Sequence, residues 1–183
     1  IVGHSDAMLG LVACTKETYQ TVKDCSRNQG ISVGPDTCYL GLRGLRTMGL
    51  RMEAQYDNAK KIAAWLHNQQ VIKEVFYPPV SFSKSHDNWS KTFLGGGSLM
   101  SMVLDDTYST SALAAFLDDM DLFGMGYSYG GYESLLTPCR LQKERISDTD
   151  HFDQTMLRMY IGLEDINDLI ADLDSGFKRL VNH

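Results

Sequence analysis

Apolar and polar positions alternate along the 183-residue chain in a way that predicts amphipathic helices and short strands. The longest pattern starts at Asp36 and runs to about Gln69, with apolar side chains recurring every three or four residues. This predicts a single helix longer than an ordinary globular helix, one that links two layers or domains. Its apolar face is predicted to consist of Leu45, Met48, Met52, Tyr56, Ala59, Ala63 and Leu66.

Shorter runs predict the remaining elements. We expect helices over 16–25, 109–120 and 164–180, with a short helix or loop over 85–93. Strands are predicted over 7–14, 71–77, 98–104, 122–128 and 155–161. In the last strand, period-two alternation places Arg158 between Met156 and Tyr160 on one face. The order of elements predicts an α/β fold.

Composition narrows the class of protein. Hydrophobic residues make up 43% of the chain and charged residues 22%, which is typical of a globular domain. The net charge of -6 gives no basic surface for nucleic acid, and no apolar stretch reaches the roughly 20 residues of a membrane span. Four cysteines without a CxxC pair, and five scattered histidines, favour reduced thiols in a cytoplasmic protein without a metal site.

Arg158 is the first candidate for chemistry, because it interrupts an otherwise apolar strand. A half-buried guanidinium needs an anionic partner, and a carboxylate matches it bidentately. The carboxylate of an amino-acid ligand would fit. From spacing alone, a salt bridge to a nearby Asp or Glu, or an exposed position on an edge strand, is the favoured explanation.

The second candidate is the segment from Tyr127 to Ser134, where aromatic rings, hydroxyls and two adjacent glycines come together. It could approach a ligand closely, or form a tight turn with its aromatics in the core. Two other motifs are weak. Adjacent residues Gly3-His4-Ser5-Asp6 do not make a hydrolase triad, and the glycines at 95–97 lack the Lys-Ser/Thr of a phosphate loop.

Four segments in order along the whole chain resemble the Cys/Met-metabolism family of pyridoxal-phosphate-dependent enzymes. They are GHSDAMLG (3–10), GLRGLRTMGLRM (41–52), SYGGYESL (128–135) and LRMYIGLEDINDLIADLDSGF (157–177). The resemblance implies the C-terminal part of a fold-type I (aspartate-aminotransferase-like) transferase. Residues 1–69 would end the cofactor-binding large domain and include the long interdomain helix. Residues 70–183 would form the small C-terminal α/β domain.

The resemblance also implies roles for individual residues. Arg158 would bind the α-carboxylate of the substrate, and Ser128 would help to position that arginine and the substrate. Tyr127 and Tyr129 would line the pocket, with Tyr129 standing where tryptophan is usual. The lysine that holds pyridoxal phosphate is expected two positions before Ile1, so no catalytic residue is assigned in this chain, and the fragment alone is expected to be inactive.

The implied reaction is carbon–sulfur cleavage by α,β-elimination, converting L-cystathionine to homocysteine, pyruvate and ammonia in methionine biosynthesis. The implied partners are the protein's own N-terminal half, in a homotetramer, and a small amino-acid substrate, with no nucleic acid and no membrane. The alternatives are a family member that works at the γ-carbon, as a synthase or a lyase, and a non-catalytic α/β binding or assembly domain.

Overall fold

A four-stranded antiparallel sheet organises the second half of the chain in the computed structural model, which describes residues 1–105, 108–139 and 155–183. The strand order is β1-β2-β4-β3, so β4 lies inside the sheet and β3 at its edge. Each neighbouring pair is antiparallel. The strands are β1 (Ile72–Phe76), β2 (Leu99–Leu104), β3 (Leu135–Cys139) and β4 (Met156–Tyr160).

Six helices accompany the sheet: α1 (Lys16–Asn28), α2 (Pro35–Leu45), α3 (Met48–His67), α4 (His86–Thr92), α5 (Thr110–Leu117) and α6 (Ile166–Val181). Three of them, α3, α5 and α6, pack their apolar faces with one face of the sheet in a continuous core. Aromatic rings join these helices, with Trp65 stacked on Phe177 at 5.7 Å and Phe116 tilted against Phe177 at 5.2 Å.

The core follows the periodicities of the sequence closely in β4 and α6. Leu157, Met159 and Ile161 are fully buried on the helix-facing side of the sheet. Burial of such side chains is the dominant favourable term in folding. The apolar face of α6 is buried as predicted, and Asp165 caps the helix by accepting the Asn167 N–H at 2.8 Å. The buried residues of α6 include Leu169, Leu173, Phe177 and Leu180.

The predicted long helix is wrong in one respect, because two helices occupy that span. After α2, the N–H groups of Arg46 and Thr47 bond to the carbonyls three residues earlier, at 3.2 and 3.1 Å. This tight turn ends α2, and α3 starts at Met48. The apolar repeat continues across this short turn, because α2 and α3 both have apolar positions at helical spacing. The repeat therefore does not reveal the break between the two helices.

Two predicted strands are also wrong. Residues 7–14 form no strand and are largely exposed, with Met8 96% and Leu11 70% accessible. Residues 122–128 form only an isolated parallel bridge between Gly124 and Leu135. Both segments are apolar enough to be strands, but strands need a neighbour to bond, which a local pattern does not supply.

Conversely, strand β3 was not predicted. Its sequence contains Pro138, which cannot donate to a neighbouring strand and argues against a central strand. The edge position of β3 accommodates the proline. In the part of the chain that the structure describes, no helix is long and apolar enough to cross a membrane, and no cluster of three metal-binding side chains occurs. The four cysteines are free thiols.

Candidate functional site

An open cleft of about 1190 Å³ lies between the N-terminal segment, helix α3 and the loop of residues 127–131. We call this loop the aromatic loop. The cleft wall is mostly apolar and carries a smaller number of polar side chains, as is usual for a site that binds a small molecule. Its lining includes Ser5, Gln55, Ser98, Ser128, Tyr129 and Tyr160.

Arg158 lies on the internal strand β4, on the sheet face opposite the helices. It stands across from Ser101 on β2 and Thr137 on β3. One guanidinium nitrogen, Nη1, donates to the carbonyl of Tyr127 at 2.7 Å. Within the described ranges, no Asp or Glu forms a salt bridge with it. Among the described residues, Arg158 therefore forms no internal salt bridge, and it does not lie on an edge strand. These were the two structural explanations that its spacing in the sequence favoured.

The surroundings of the guanidinium are aromatic. Its central carbon lies 6.0 Å from the ring centroids of both Tyr127 and Tyr129. Arg158 is not among the lining residues of the cleft, but these two rings are. A guanidinium has five N–H donors, and the described residues use one of them. The remaining donors can take a carboxylate in a bidentate pair.

The aromatic loop is exposed rather than packed into the core. Tyr127 and Tyr129 are 67% and 71% accessible, which excludes the alternative of a turn with buried aromatics. Gly130 has a φ of +82°, a conformation in which glycine avoids the steric cost of a side chain. Ser128 lines the cleft, and the group that contacts Arg158 is the carbonyl of the residue before it.

The end of the aromatic loop is fixed by a buried network that pattern reasoning did not predict. The Gln55 amide nitrogen donates to the carbonyl of Gly131 at 2.7 Å and to the hydroxyl of Tyr160 at 2.8 Å. The Tyr160 hydroxyl lies 3.0 Å from the same carbonyl. The sequence did contain an indication of this network. Gln55 is a polar residue on the apolar face of α3, three positions after Met52 and four before Ala59.

A second polar clasp follows the aromatic loop. Ser134 is fully buried, and its N–H and hydroxyl donate to the two carboxylate oxygens of Glu164 at 2.7 and 2.8 Å. The N–H of Gly162 donates to the Ser134 hydroxyl at 2.9 Å, and the N–H of Leu163 to the carbonyl of Tyr132 at 2.8 Å. We call this set the Ser134–Glu164 clasp. It ties the start of β3 to the turn after β4.

The N-terminal segment forms the other rim of the cleft. Arg51 holds it by donating to the carbonyls of Ile1 and Gly44, at 3.1 and 2.7 Å. The Nδ1 atom of His4 contacts the carbonyl of Val2 at 2.9 Å. The Nδ1 atom of His4 therefore contacts a backbone carbonyl and not the carboxylate of Asp6, the pairing that a hydrolase triad would need. Ser5 has a φ of 58°, and its side chain lies against Gly131 of the aromatic loop.

Tyr77 positions a third wall of the cleft, which is formed by the start of β2. This side chain is 2% accessible, and its hydroxyl donates to the carbonyl of Gly97 at 2.6 Å. Burial raises the pKa of the Tyr77 phenol well above its usual value, so the hydroxyl remains a proton donor. Next along the chain, the hydroxyl of Ser98 donates to the carbonyl of Ile161 at 2.6 Å. Both bonds hold the start of β2 where it lines the cleft.

Replacing Tyr77 with phenylalanine is expected to lower the free energy of unfolding by about 1 kcal/mol, because the Gly97 carbonyl loses its donor. Urea denaturation of the full-length protein measures this change. Tyr108→Phe provides the matched control, since the hydroxyl of Tyr108 donates to Asp105 at 3.1 Å in a solvent-exposed hydrogen bond. An equal effect of the two substitutions would show that the buried hydrogen bond does not stabilise this wall.

Comparison with known proteins gives a consistent result. A family model described as "Cys/Met metabolism PLP-dependent enzyme" matches residues 1–178. The cystathionine β-lyase of Escherichia coli is 40% identical over 99% of this chain and 47% of its own length. An L-alanine/L-glutamate racemase of Wolbachia pipientis is 35% identical over 98% of this chain and 45% of its own length.

Solved structures agree on the fold. The chain superimposes on a cystathionine γ-lyase from Lactobacillus plantarum complexed with L-serine, with a TM-score of 0.85 and 26% identity. That match covers 98% of this chain and 48% of the other. The chain spans about half the length of the curated relatives it matches.

Proposed function

Because the chain belongs to the Cys/Met-metabolism family of pyridoxal-phosphate-dependent enzymes, we propose that it is the C-terminal part of a cystathionine β-lyase. Such an enzyme cleaves L-cystathionine by α,β-elimination to homocysteine, pyruvate and ammonia, as a step of methionine biosynthesis. The 40% identity to the Escherichia coli β-lyase supports this choice. The observation that carries it is Arg158, which has no carboxylate partner among the described residues and lies 6.0 Å from each of two aromatic rings that line the cleft.

In this proposal, Arg158 binds the α-carboxylate of the amino-acid substrate. The contact to the carbonyl of Tyr127 fixes one side of the guanidinium, so the opposite side faces the ligand. Tyr127 and Tyr129 form an aromatic wall, and Ser128 offers a hydroxyl and backbone groups to the substrate. Holding the carboxylate fixes the direction of the bond from Cα to its proton, an orientation effect that lowers the barrier.

Pyridoxal phosphate supplies an electron sink for the negative charge that develops at Cα once the proton leaves. The cleft offers aromatic surface, hydroxyls and backbone N–H groups, and no lysine is among its described lining residues. These residues therefore fit the substrate side of a pyridoxal-phosphate site. The lysine that would hold the cofactor is not assigned within this chain.

We also propose the domain division and the partners implied by the family. Residues 1–69 would belong to the cofactor-binding domain with its interdomain helix, and 70–183 to the small domain. The protein's own N-terminal half would cover the apolar side chains that are exposed in the first of these parts. These include Met8, Leu11, Val12, Ile31, Tyr39, Leu42 and Leu50. A homotetramer and a cytoplasmic location complete the proposal.

The reaction is tested by incubating the full-length protein, loaded with pyridoxal phosphate, with L-cystathionine. We expect pyruvate and homocysteine as the main products. 2-Oxobutyrate and cysteine as main products would overturn the β-lyase assignment in favour of the γ-lyase type of the Lactobacillus plantarum neighbour. No cleavage, with formation of D-alanine from L-alanine, would favour the racemase type of the Wolbachia relative.

The same preparation tests the non-catalytic alternative. The visible absorbance of protein-bound pyridoxal phosphate should accompany the full-length protein through gel filtration. A full-length protein that carries no such absorbance after incubation with the cofactor, and that leaves every one of these substrates unchanged, would favour a binding or assembly domain.

A further inference from the structure

The aromatic loop is attached to the rest of the molecule at both of its ends. At its start, the carbonyl of Tyr127 accepts from Arg158 at 2.7 Å. At its finish, the carbonyl of Gly131 accepts from Gln55 at 2.7 Å, with the Tyr160 hydroxyl 3.0 Å away. Arg158 and Tyr160 are two residues apart on β4, so both attachments lead back to one strand face.

Gln55 differs from the other members of this network in its environment. It is 6% accessible and sits on the buried face of α3, whose other buried positions are apolar. A buried amide is costly unless it is hydrogen-bonded. The two donations, to the carbonyl of Gly131 and the hydroxyl of Tyr160, offset that cost and join α3, the aromatic loop and β4 at one point.

The three residues between the two attachments all line the cleft: Ser128, Tyr129 and Gly130. They are exposed and form no part of the core. Among the described residues, no backbone N–H or carbonyl of 128–130 forms a hydrogen bond, so the shape of this stretch depends on its end points. Loosening the attachment at Gly131 would therefore free the Tyr129 ring beside the Arg158 guanidinium, whereas the Tyr127 hydroxyl would still donate to the carbonyl of Pro138 at 3.1 Å.

We propose that Gln55 is a positioning residue, which acts through the carbonyl of Gly131 to hold the aromatic loop in the conformation that presents Arg158 to the substrate carboxylate. Gln55 itself does not contact Arg158 in this arrangement; it acts over the length of the loop. The assignment of a carboxylate to Arg158 rests on the proposed function, whereas the control of loop conformation by Gln55 does not.

The test uses the full-length protein with its cofactor and the substitution Gln55→Met, which keeps the side-chain length and removes both donors. Chymotrypsin, which cuts after aromatic residues, should cleave the chain after the tyrosines of residues 127–132 about tenfold faster, as expected when a buried hydrogen bond that holds this loop is lost. Hydrogen–deuterium exchange in β2 and β4 should stay close to that of the unchanged protein. The matched control is Gln70→Met, at an exposed glutamine in the turn after α3.

Kinetics supply the second readout. For L-cystathionine, Gln55→Met should raise KM about tenfold and lower kcat by less than about threefold. The reason is that Arg158 binds the substrate carboxylate less tightly, while the reacting groups stay in place. Tyr160→Phe, which removes the other polar side chain on the Gly131 carbonyl, should change the rate of loop cleavage and KM in the same direction. It also carries the test if Gln55→Met does not fold.

The proposal is overturned if cleavage within 127–132 is no faster than in the unchanged protein, or if hydrogen–deuterium exchange also rises in β2 and β4, which would indicate general destabilisation. A fall in kcat with KM constant would also overturn it. If the unchanged protein cleaves no cystathionine, the proposed function fails, while the proteolysis experiment still decides whether Gln55 controls the loop.

Discussion

Replacing Arg158 with alanine in the full-length protein is expected to lower kcat/KM for L-cystathionine at least about a hundredfold, with an increase in KM. The physical reason is the loss of a charge-assisted bidentate contact of roughly 3 kcal/mol between guanidinium and carboxylate. Arg158 is suited to this contact because the described residues provide it with a carbonyl and two aromatic rings, and no competing carboxylate.

Two comparisons make the result specific. Arg158→Lys keeps the charge but not the planar fork, so it should recover only part of the loss. A substrate analogue that lacks the α-carboxylate should react equally slowly with the unchanged protein and with Arg158→Ala, since neither makes the contact. Arg27→Ala, at an exposed position in the last turn of α1, is the matched control and should behave like the unchanged protein. A near-unchanged kcat/KM in Arg158→Ala would refute the assigned role.

The second large effect is expected from Gly162→Ala, in the Ser134–Glu164 clasp. A Cβ atom at this position would overlap the backbone carbonyl of Tyr132 and approach a carboxylate oxygen of Glu164 to 2.5 Å. The Tyr132 carbonyl cannot move away freely, because it accepts the N–H of Leu163 at 2.8 Å. We expect the free energy of unfolding to fall by about 3 kcal/mol, the upper end of the usual cost of overpacking.

Chemical denaturation of the full-length protein measures this loss. Gly95→Ala is the control, because a Cβ at that exposed position meets no atom within 4 Å. Alanine there should change the free energy of unfolding by less than about 0.5 kcal/mol. The same unfolding free energy for Gly162→Ala as for the unchanged protein would mean that the clasp relaxes around an added methyl group, and that it does not fix the turn after β4.

Local patterns in the sequence were sufficient for several elements. The periodicity of apolar residues correctly predicted α6, and the period-two alternation in 155–161 correctly placed Arg158 on the face opposite Leu157 and Met159. These elements are well predicted because a single buried face determines their pattern. The four motifs that resemble the Cys/Met-metabolism family indicated the family itself, which the match over residues 1–178 confirms.

Other features needed the folded chain. The edge strand β3 contains Pro138 and was identifiable only once its place in the sheet was known. The break between α2 and α3 depends on two backbone hydrogen bonds that leave the apolar repeat intact. The exposure of residues 7–14 depends on the absence of a neighbouring strand for them in the described part of the chain.

The contrast is sharpest at Arg158. The sequence by itself determined its strand, its face and, through the surrounding motifs, its proposed ligand. Only the tertiary structure decided which group it contacts, the carbonyl of Tyr127, 31 residues away. The same is true of the hydrogen bond between Gln55 and Tyr160, which are 105 residues apart. Hydrogen bonds between side chains and distant carbonyls have no period along the chain, because they depend on where separate elements meet, so they become visible only when the elements are packed.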